Sequence, residues 1–188
     1  EAATSIDRES YDVEMAYVLP WKDHLAGDLE AAGVPTTCLS TRRRDLLWPW
    51  RLRGAMDGAD IAHVHSPVPA VAARLVSRTL PRGRRPALVT TEHNTWTSHR
   101  RPTRWANQVT SRLDSATFAV TREAAESLRG SAARRAVVVT HGVDVEAIAA
   151  RTAQRAAMRS SLGIGDSTVV IGTVANFRAQ KDYPNLLH

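Results

Sequence analysis

The segment "ADIAHVHSPVPAVAARLVSRTLPRGRRPALVTTEH" (residues 59–93) contains a complete strand–helix–strand unit. Residues 59–66 and 86–93 are short aliphatic segments typical of strands, and residues 67–80 between them have the apolar pattern and the length of a helix. Two strands joined in this way pair in parallel, because the helix carries the chain back to the end of the sheet where the first strand began. The segment therefore predicts a parallel β-sheet.

The same alternation of strand and helix continues on both sides of this unit. Strands are predicted over residues 11–19, 34–40, 115–120, 135–142 and 167–174, and helices over residues 20–33, 103–114, 121–130 and 144–163. Pro49 is predicted to interrupt any single helix over residues 44–58. Strands and helices that alternate along the chain are typical of the α/β class, with a doubly wound parallel sheet covered by helices on both faces.

Composition bounds the size and the class of the protein. With 188 residues, of which 43% are hydrophobic, the chain can bury a core and form about one or two domains. Cys38 is the single cysteine, so no internal disulfide can form and a reducing compartment is expected. No segment has the roughly 18 to 20 apolar residues of a membrane span, and residues 1–10 lack the apolar region of a signal peptide. We therefore expect a cytoplasmic protein.

The basic residues are almost all arginines, and they are clustered. The formal net charge is +6, with 23 arginines and two lysines. Residues 41–54 place five arginines beside Trp48 and Trp50, and residues 81–105 carry further arginines. An arginine-rich solvated surface explains this pattern. Two functional alternatives are an anionic membrane surface, where tryptophan is favoured at the headgroup level, and nucleic acid.

Polar side chains follow the predicted strands at the points where they end. In a parallel α/β sheet the ligand crevice lies beyond the carboxyl ends of the strands. The residues at those ends are His63, His65, Ser66, Glu92, His93, Asn94, Thr121 and His141. Several histidines at one edge indicate a polar crevice, although His63 and His65 share one face of their strand and a buried, hydrogen-bonded role is the alternative for each.

Other kinds of site are weakly supported by the sequence. The His-x-His pair with Glu92 and His93 has competent metal ligands, but no cysteine pair or acidic cluster completes a set, and Glu92 and His93 point to opposite faces if the strand continues. The sequence contains no G-x-S-x-G nucleophile elbow and no Walker loop. Gly163 and Gly165 precede a predicted strand, so they are interpreted as helix-stop and turn residues. We expect no metal site.

The order of the motifs resembles a known family. The chain contains "ADIAHVHS", "VTTEHN", "ATFAVTREAAESL", "VVVTHGVD" and "LGIGDSTVVIGTVANFRAQKDYPNLL" in succession. This succession resembles the family-4 glycosyltransferases of the GT-B fold, in which two Rossmann-like domains face each other across a cleft. The resemblance covers nearly the whole chain and depends on the order and the spacing of the motifs.

The resemblance implies roles for the residues at the strand ends. The histidine that lines the acceptor side near the sugar corresponds to His93, which is the candidate catalytic residue. The acceptor-side cleft would also include His65, Glu92, Asn94 and Thr121. The usual Asn-Gly-Val-Asp before the second domain appears here as "HGVD", with His141 in place of asparagine.

The resemblance also implies a site for the donor phosphates. The lysine that meets the diphosphate of the sugar nucleotide corresponds to Lys181. The family arginine is replaced by Asn176, and Arg178 two residues later is a candidate substitute. A cation that follows a strand and precedes a helix N-terminus is a reasonable phosphate ligand.

The activity implied by the resemblance is sugar transfer from a nucleotide diphosphate sugar to a glycan or lipid-linked acceptor, with retention of configuration. Neither a cofactor nor a metal ion would be required. Residues 1–143 would form the acceptor-side Rossmann-like domain, incomplete at its N-terminus. Residues 144–188 would supply a crossover helix and the first strand and loop of the donor-binding domain. We therefore expect a fragment that is inactive alone, because family members carry their paired donor-binding glutamates beyond this point.

Partners and alternatives follow from the same residues. The expected partners are the nucleotide sugar, the glycan or lipid-linked acceptor and an anionic membrane surface, on which residues 41–54 would dock the protein at the inner face. Nucleic acid is not expected. A sugar-nucleotide epimerase of the GT-B type is one alternative, and a basic nucleic-acid-binding α/β module is the other.

Overall fold

The chain forms two compact units, and the boundary between them falls between His141 and Gly142. The computed structural model describes residues 6–175, 177 and 181–187. The first unit contains all the strands found in this part of the chain, and the second contains helices and extended segments.

A short parallel pair of strands lies near the start of the first unit. Strand β1 (Met15–Tyr17) pairs with β2 (Thr36–Cys38), and helix α1 (Ala26–Ala31) connects them. Val34 and Leu39, on either side of β2, are buried. The first two strands of the chain therefore pair in parallel, as predicted.

The main sheet of the first unit has four parallel strands. In spatial order they are β3 (Ile61–Val64), β4 (Ala87–Glu92), β5 (Ala116–Ala119) and β6 (Ala136–Val138). In register, His63 lies beside Val89, and Thr91 lies beside Phe118. The parallel sheet predicted from residues 59–93 is confirmed, and so is the α/β class.

Helices connect these strands. They are α2 (Trp48–Met56), α3 (Pro67–Ser77), α4 (Arg101–Thr110), α5 (Arg122–Ser127) and α6 (Gly130–Arg135), with 3₁₀ turns at Arg82–Arg84, Trp96–Ser98 and Ser111–Leu113. The expectation that Pro49 interrupts any single helix over residues 44–58 is confirmed, because α2 begins only at Trp48. Pro49 lies in the first turn of α2, where the backbone N–H has no helical partner and proline costs nothing. Helix α6 was not predicted; Gly130, with φ of 64°, begins it.

One face of the sheet packs against α2 and α3. The buried apolar side chains there are Met56, Ala73, Val76, Leu80 and Leu88, joined by the partly buried Leu52, Ala62 and Val64. The opposite face carries His63, Thr91 and Phe118, and it leaves Ile61 and Val137 more than half exposed. Alternation along each strand therefore separates a packed face from an open one.

A charged pair lies inside the packed layer. Arg74 of α3 is 1% exposed and binds Asp114 through two parallel hydrogen bonds, Nε to Oδ1 at 2.7 Å and Nη2 to Oδ2 at 2.6 Å. Its Nη1 donates to Asn107 at 2.7 Å and to Thr110 at 3.2 Å. The hydroxyl of Thr90 on β4 donates to Asp114 at 3.0 Å. This cluster ties α3, α4 and β4 together, and the side chains of Asn107 and Thr110 also donate to backbone carbonyls nearby.

The second unit differs from its prediction. The long helix expected over residues 144–163 forms as α7 (Val145–Ala150), a 3₁₀ turn (Arg151–Gln154) and α8 (Arg155–Ser161), and α9 (Tyr183–Leu187) follows later. The strand expected over residues 167–174 does not form. In the described part of the chain no neighbouring strand offers it hydrogen bonds, and Val169 and Ile171 remain at least 80% exposed.

Candidate functional site

Four histidines meet at the carboxyl edge of the main sheet. His63 lies on β3, and His65 directly follows that strand. His93 directly follows β4, and His141 is the third residue after β6. Because parallel strands end at the same edge, three separate segments of the chain bring their imidazoles to one place.

The four rings, here called the histidine row, contact one another in sequence. Ring centroids are 4.3 Å apart between His63 and His65, 5.4 Å between His65 and His93, and 5.3 Å between His93 and His141. Nδ1 of His65 lies 3.1 Å from Nε2 of His93, and Nδ1 of His93 lies 3.3 Å from Nε2 of His141. His93 and His141 are nearly parallel, with 17° between their planes.

The sheet holds the first ring of the row. Nε2 of His63 is 2.7 Å from the hydroxyl oxygen of Thr91 on the neighbouring strand. Phe118, one strand further, meets the same ring edge-on at 6.0 Å. His63, Thr91 and Phe118 occupy one face, because His63 is paired with Val89, two residues before Thr91 on the same strand, and Thr91 is paired with Phe118. The row therefore begins on a rigid element and continues into the loops.

Electrostatics favours the neutral form of these rings. Partial withdrawal from water, followed by repulsion from the other three imidazoles, lowers the pKa of His65 from 6.5 to about 4. The pKa of His63 is lowered by the same partial desolvation and by His93. The pKa of His93 is lowered by desolvation and by His141, while the carboxylate of Glu92 acts in the opposite direction. At neutral pH these three rings are uncharged and can each donate and accept one hydrogen bond.

The remaining acceptor-side candidates occupy different environments. Glu92 ends β4 on the packed face and is 4% exposed, so it points away from His93, as strand alternation requires. Asn94 is exposed beside His93. Thr121 is also exposed, but its hydroxyl accepts the N–H of Ala124 at 3.0 Å and caps α5. The structure thus brings His65 and His93 together and gives Thr121 a structural contact.

The donor-phosphate candidates lie in or next to the second unit's last described segment. Asn176 and Arg178 lie outside the described residues. Lys181 is exposed and comes just before Asp182, whose positive φ of 45° leads into α9. A cation before a helix start was predicted, whereas the strand predicted before it is absent from the described residues.

A metal site does not emerge from the described residues. Among them, no group of three or more His, Cys, Asp or Glu side chains is placed to hold a metal ion. In the histidine row the two nitrogens of His93 face different neighbours, His65 and His141, on opposite sides of its ring. The nitrogens of these three rings therefore do not converge on one point, as metal ligands would.

Sequence reasoning underestimated two residues of this site. His141 was noted as a departure from the family pattern, yet its ring completes the row at His93. Thr91 was not singled out, although it holds His63. The alternation of β4 could have identified Thr91, because it shares a face with His63 and differs in face from Glu92. The contact of His141 with His93 depends on a loop, which periodicity does not describe.

The fold and the site together define a class. A parallel α/β domain with a polar, hydroxyl-compatible edge at the ends of its strands is a scaffold for binding small polar substrates. Residues 3–147 match Glycosyltransferase Family 4, and the chain belongs to this family. The match includes every residue of the histidine row. No curated protein shows a significant match to the chain.

Proposed function

We propose that the protein takes part in transfer of a sugar from a nucleotide diphosphate sugar to a glycan or lipid-linked acceptor, with retention of configuration. The observation that carries this proposal is the histidine row within the region that matches the glycosyltransferase family. Residues 1–143 would form the acceptor side and residues 144–188 would begin the donor side.

In this proposal His93 orients hydroxyl groups through the rings of His65 and His141, which its two nitrogens contact, and it is not a nucleophile. A sugar hydroxyl both donates and accepts a hydrogen bond, and neutral imidazoles on either side of His93 offer the complementary pair. The lowered pKa of His93 keeps the ring in that form at neutral pH. His65 and Asn94 would contact the same acceptor, since the former touches His93 and the latter is exposed directly after it.

The donor side requires positive charge that is fixed before the reaction. As the bond from the anomeric carbon to the diphosphate breaks, negative charge accumulates on the departing phosphate oxygens. Lys181 is exposed, lies two residues before α9 and would contact that diphosphate. Fixed cations of this kind stabilise the leaving group without a bound metal ion.

Ligand-observed NMR on the protein with a panel of glycans and nucleotide sugars tests this function. We expect saturation transfer to a subset of glycans, and its loss in His93→Ala. His24→Ala is the matched control, because its exposed side chain lies outside the row. Equal glycan signals in His93→Ala and wild type would contradict the role of His93. Absence of any glycan or nucleotide-sugar signal, with no sugar transfer to any acceptor, would contradict the proposed function.

We also propose that the protein docks on an anionic membrane surface. A groove of about 450 Å³ lies among α2, α3 and α4 and is lined mainly by apolar side chains, among them Trp48, Val68 and Leu75. Trp50 and Trp105, on α2 and α4, are 59% and 68% exposed. No helix in the described residues is long and apolar enough to span a bilayer, so docking would occur at the surface.

Charge near the groove agrees with an anionic surface. Between residues 61 and 113 the sequence has one acidic residue, Glu92, and it is buried. The same range contains several arginines. Three of them lie at the N-terminal end of α4, beside the groove: Arg100, Arg101 and Arg104. Arginine attracts anionic headgroups, while tryptophan is stable at the headgroup level.

Liposome co-sedimentation tests the docking surface. We expect binding to vesicles with anionic lipid, and weaker binding with added salt or in the double variant Trp48→Ala with Trp50→Ala. Val145→Ala with Ile148→Ala is the control, because these apolar side chains lie on α7, are about as exposed as Trp50 and do not line the groove. Equal binding to neutral vesicles, or no effect of the tryptophan substitutions, would contradict the proposal.

A further inference from the structure

Both ring nitrogens of His93 are occupied by other histidines. Its Nε2 faces Nδ1 of His65 at 3.1 Å, and its Nδ1 faces Nε2 of His141 at 3.3 Å. These are hydrogen-bond distances, so each contact needs one N–H and one lone pair. A neutral His93 has one of each, which means that it donates to one neighbour and accepts from the other.

This arrangement links the tautomers of the three rings. If His93 carries its proton on Nδ1, it donates to Nε2 of His141 and accepts from Nδ1 of His65, so all three rings are Nδ1–H. If His93 carries its proton on Nε2, both hydrogen bonds reverse and all three rings are Nε2–H. Mixed states leave two N–H groups or two lone pairs facing each other, which costs a hydrogen bond.

The two outer rings of this set of three, His65 and His141, are therefore also linked. In the Nδ1–H state, Nε2 of His65 is a lone pair and Nδ1 of His141 is a donor. In the other state, Nε2 of His65 is a donor and Nδ1 of His141 is a lone pair. A ligand group that donates a hydrogen bond to one end fixes the state in which the opposite end donates, and a group that accepts from one end fixes the state in which the opposite end accepts.

We propose that His65 and His141 are positioning residues that fix the ring and the tautomer of His93, so that the row presents one donor and one acceptor to the hydroxyl groups of a glycan. The use of the row for a glycan rests on the proposed function, whereas the linked tautomers do not. The free nitrogens that contact the hydroxyls belong to the outer rings, because those of His93 are already occupied.

Surrounding groups favour the neutral forms of His65 and His93. The pKa values of His65 and His93 are lowered by partial desolvation and by the neighbouring imidazoles, with Glu92 opposing the shift at His93. In the described part of the chain no salt bridge involves a ring of the row. The first ring, His63, is held separately by Thr91 and contacts His65 only through the rings, so the linked set has three members.

Long-range proton–nitrogen NMR on protein labelled with ¹⁵N in its histidine rings reports each tautomer directly. At about pH 8, above the ordinary histidine pKa of roughly 6.5, we expect His65, His93 and His141 to share one tautomer. His141→Phe keeps a flat ring where the stacked imidazole was and removes its nitrogens. We expect it to release His93 into a mixture of tautomers, whereas His24→Phe changes none of the three.

Two results would overturn the proposal: opposite tautomers among the three rings of the wild type, or an unchanged tautomer of His93 in both His141→Phe and His65→Phe. Unchanged signals from His24 and His99 show that each variant is folded. This readout needs no ligand, so it is separate from the glycan test. Linked tautomers without glycan binding would contradict only the proposed function. Glycan binding without linked tautomers would contradict only the positioning role of His65 and His141.

Discussion

Two adjacent threonines of β4 lie against two polar clusters of opposite character. Thr90 points into the packed layer and donates to Asp114, which pairs with Arg74. Thr91 points to the open face and contacts His63, the first ring of the histidine row. In the buried cluster a full positive charge meets a full negative charge through two parallel hydrogen bonds. In the histidine row similar groups meet, and the lowered pKa values of His63, His65 and His93 favour their neutral forms.

The difference indicates which cluster can act on a ligand. The polar atoms of Arg74 and Asp114 are committed to protein partners, and both side chains are almost fully buried. The row is exposed, and Nε2 of His65 and Nδ1 of His141 have no hydrogen-bond partner among the described residues. The first arrangement stabilises the fold, and the second leaves hydrogen-bonding capacity for substrate.

The largest expected effect comes from breaking the buried pair. Arg74→Met should lower the free energy of unfolding by about 3–5 kcal/mol, because it leaves the carboxylate of Asp114 buried without its cation. Urea unfolding followed by tryptophan fluorescence measures this loss. Arg78→Met is the matched control on the end of the same helix, where the side chain is exposed. A loss below about 1 kcal/mol in Arg74→Met would mean that the pair does not stabilise the fold as described.

The double variant Arg74→Met with Asp114→Leu distinguishes the contribution of the ion pair to stability from that of side-chain packing. Removing both charges together leaves no unpaired ion, so its cost should be well below the sum of the two single losses. A loss in the double variant equal to the sum of the two single losses would indicate that the two side chains do not act as a pair.

The second prediction compares the two threonines directly. Thr90→Val and Thr91→Val remove the same atom from neighbouring residues of one strand. Thr90→Val should cost about 1.5–3 kcal/mol, because the lost hydrogen bond reaches a buried carboxylate. Thr91→Val should cost roughly 0.5–1 kcal/mol, because its partner is a neutral and exposed imidazole. Urea unfolding of both variants measures the difference, and equal losses would contradict the contrast between the two clusters.

The strands and helices could be predicted from the sequence better than either of the two polar clusters could. Parallel strands and their connecting helices follow from local periodicity, so β3, α3 and β4 appear where residues 59–93 predict them. Nothing local marks Arg74 as the partner of Asp114, which lies 40 residues away. An arginine inside the apolar pattern of α3 was the available signal, since a buried cation needs a partner.

The histidine row was predictable in part for the same reason. The rule that parallel strands end at one edge places His65 and His93 together from sequence alone. It does not fix the loop after β6 that carries His141 to His93. The strand predicted over residues 167–174 failed for a related reason: an apolar pattern reports that a segment can pair, whereas pairing also needs a neighbouring strand.

The smallest expected effect is the dependence of stability on pH. In the folded protein the pKa of His65 is lowered from 6.5 to about 4, and those of His63 and His93 are lowered as well. Between these values the unfolded chain binds protons that the folded chain does not, so stability should fall as the pH is lowered through this window. Because the rings are exposed, solvent screening should limit the loss from His65 to about 1 kcal/mol or less.

Urea unfolding at intervals between about pH 7 and pH 4.5 tests this effect, since the ordinary pKa of an aspartate, near 3.9, lies below that range. The pKa of Asp45 is lowered by hydrogen bonds from the backbone of Thr41 and Leu47 and from Arg51, so its stabilising effect is lost only at still lower pH. His65→Gln should flatten the slope, and His24→Gln should keep it. An unchanged slope in His65→Gln would show that the histidine row does not exclude protons in the folded state, and the contrast with the charged pair at Arg74 would then fail.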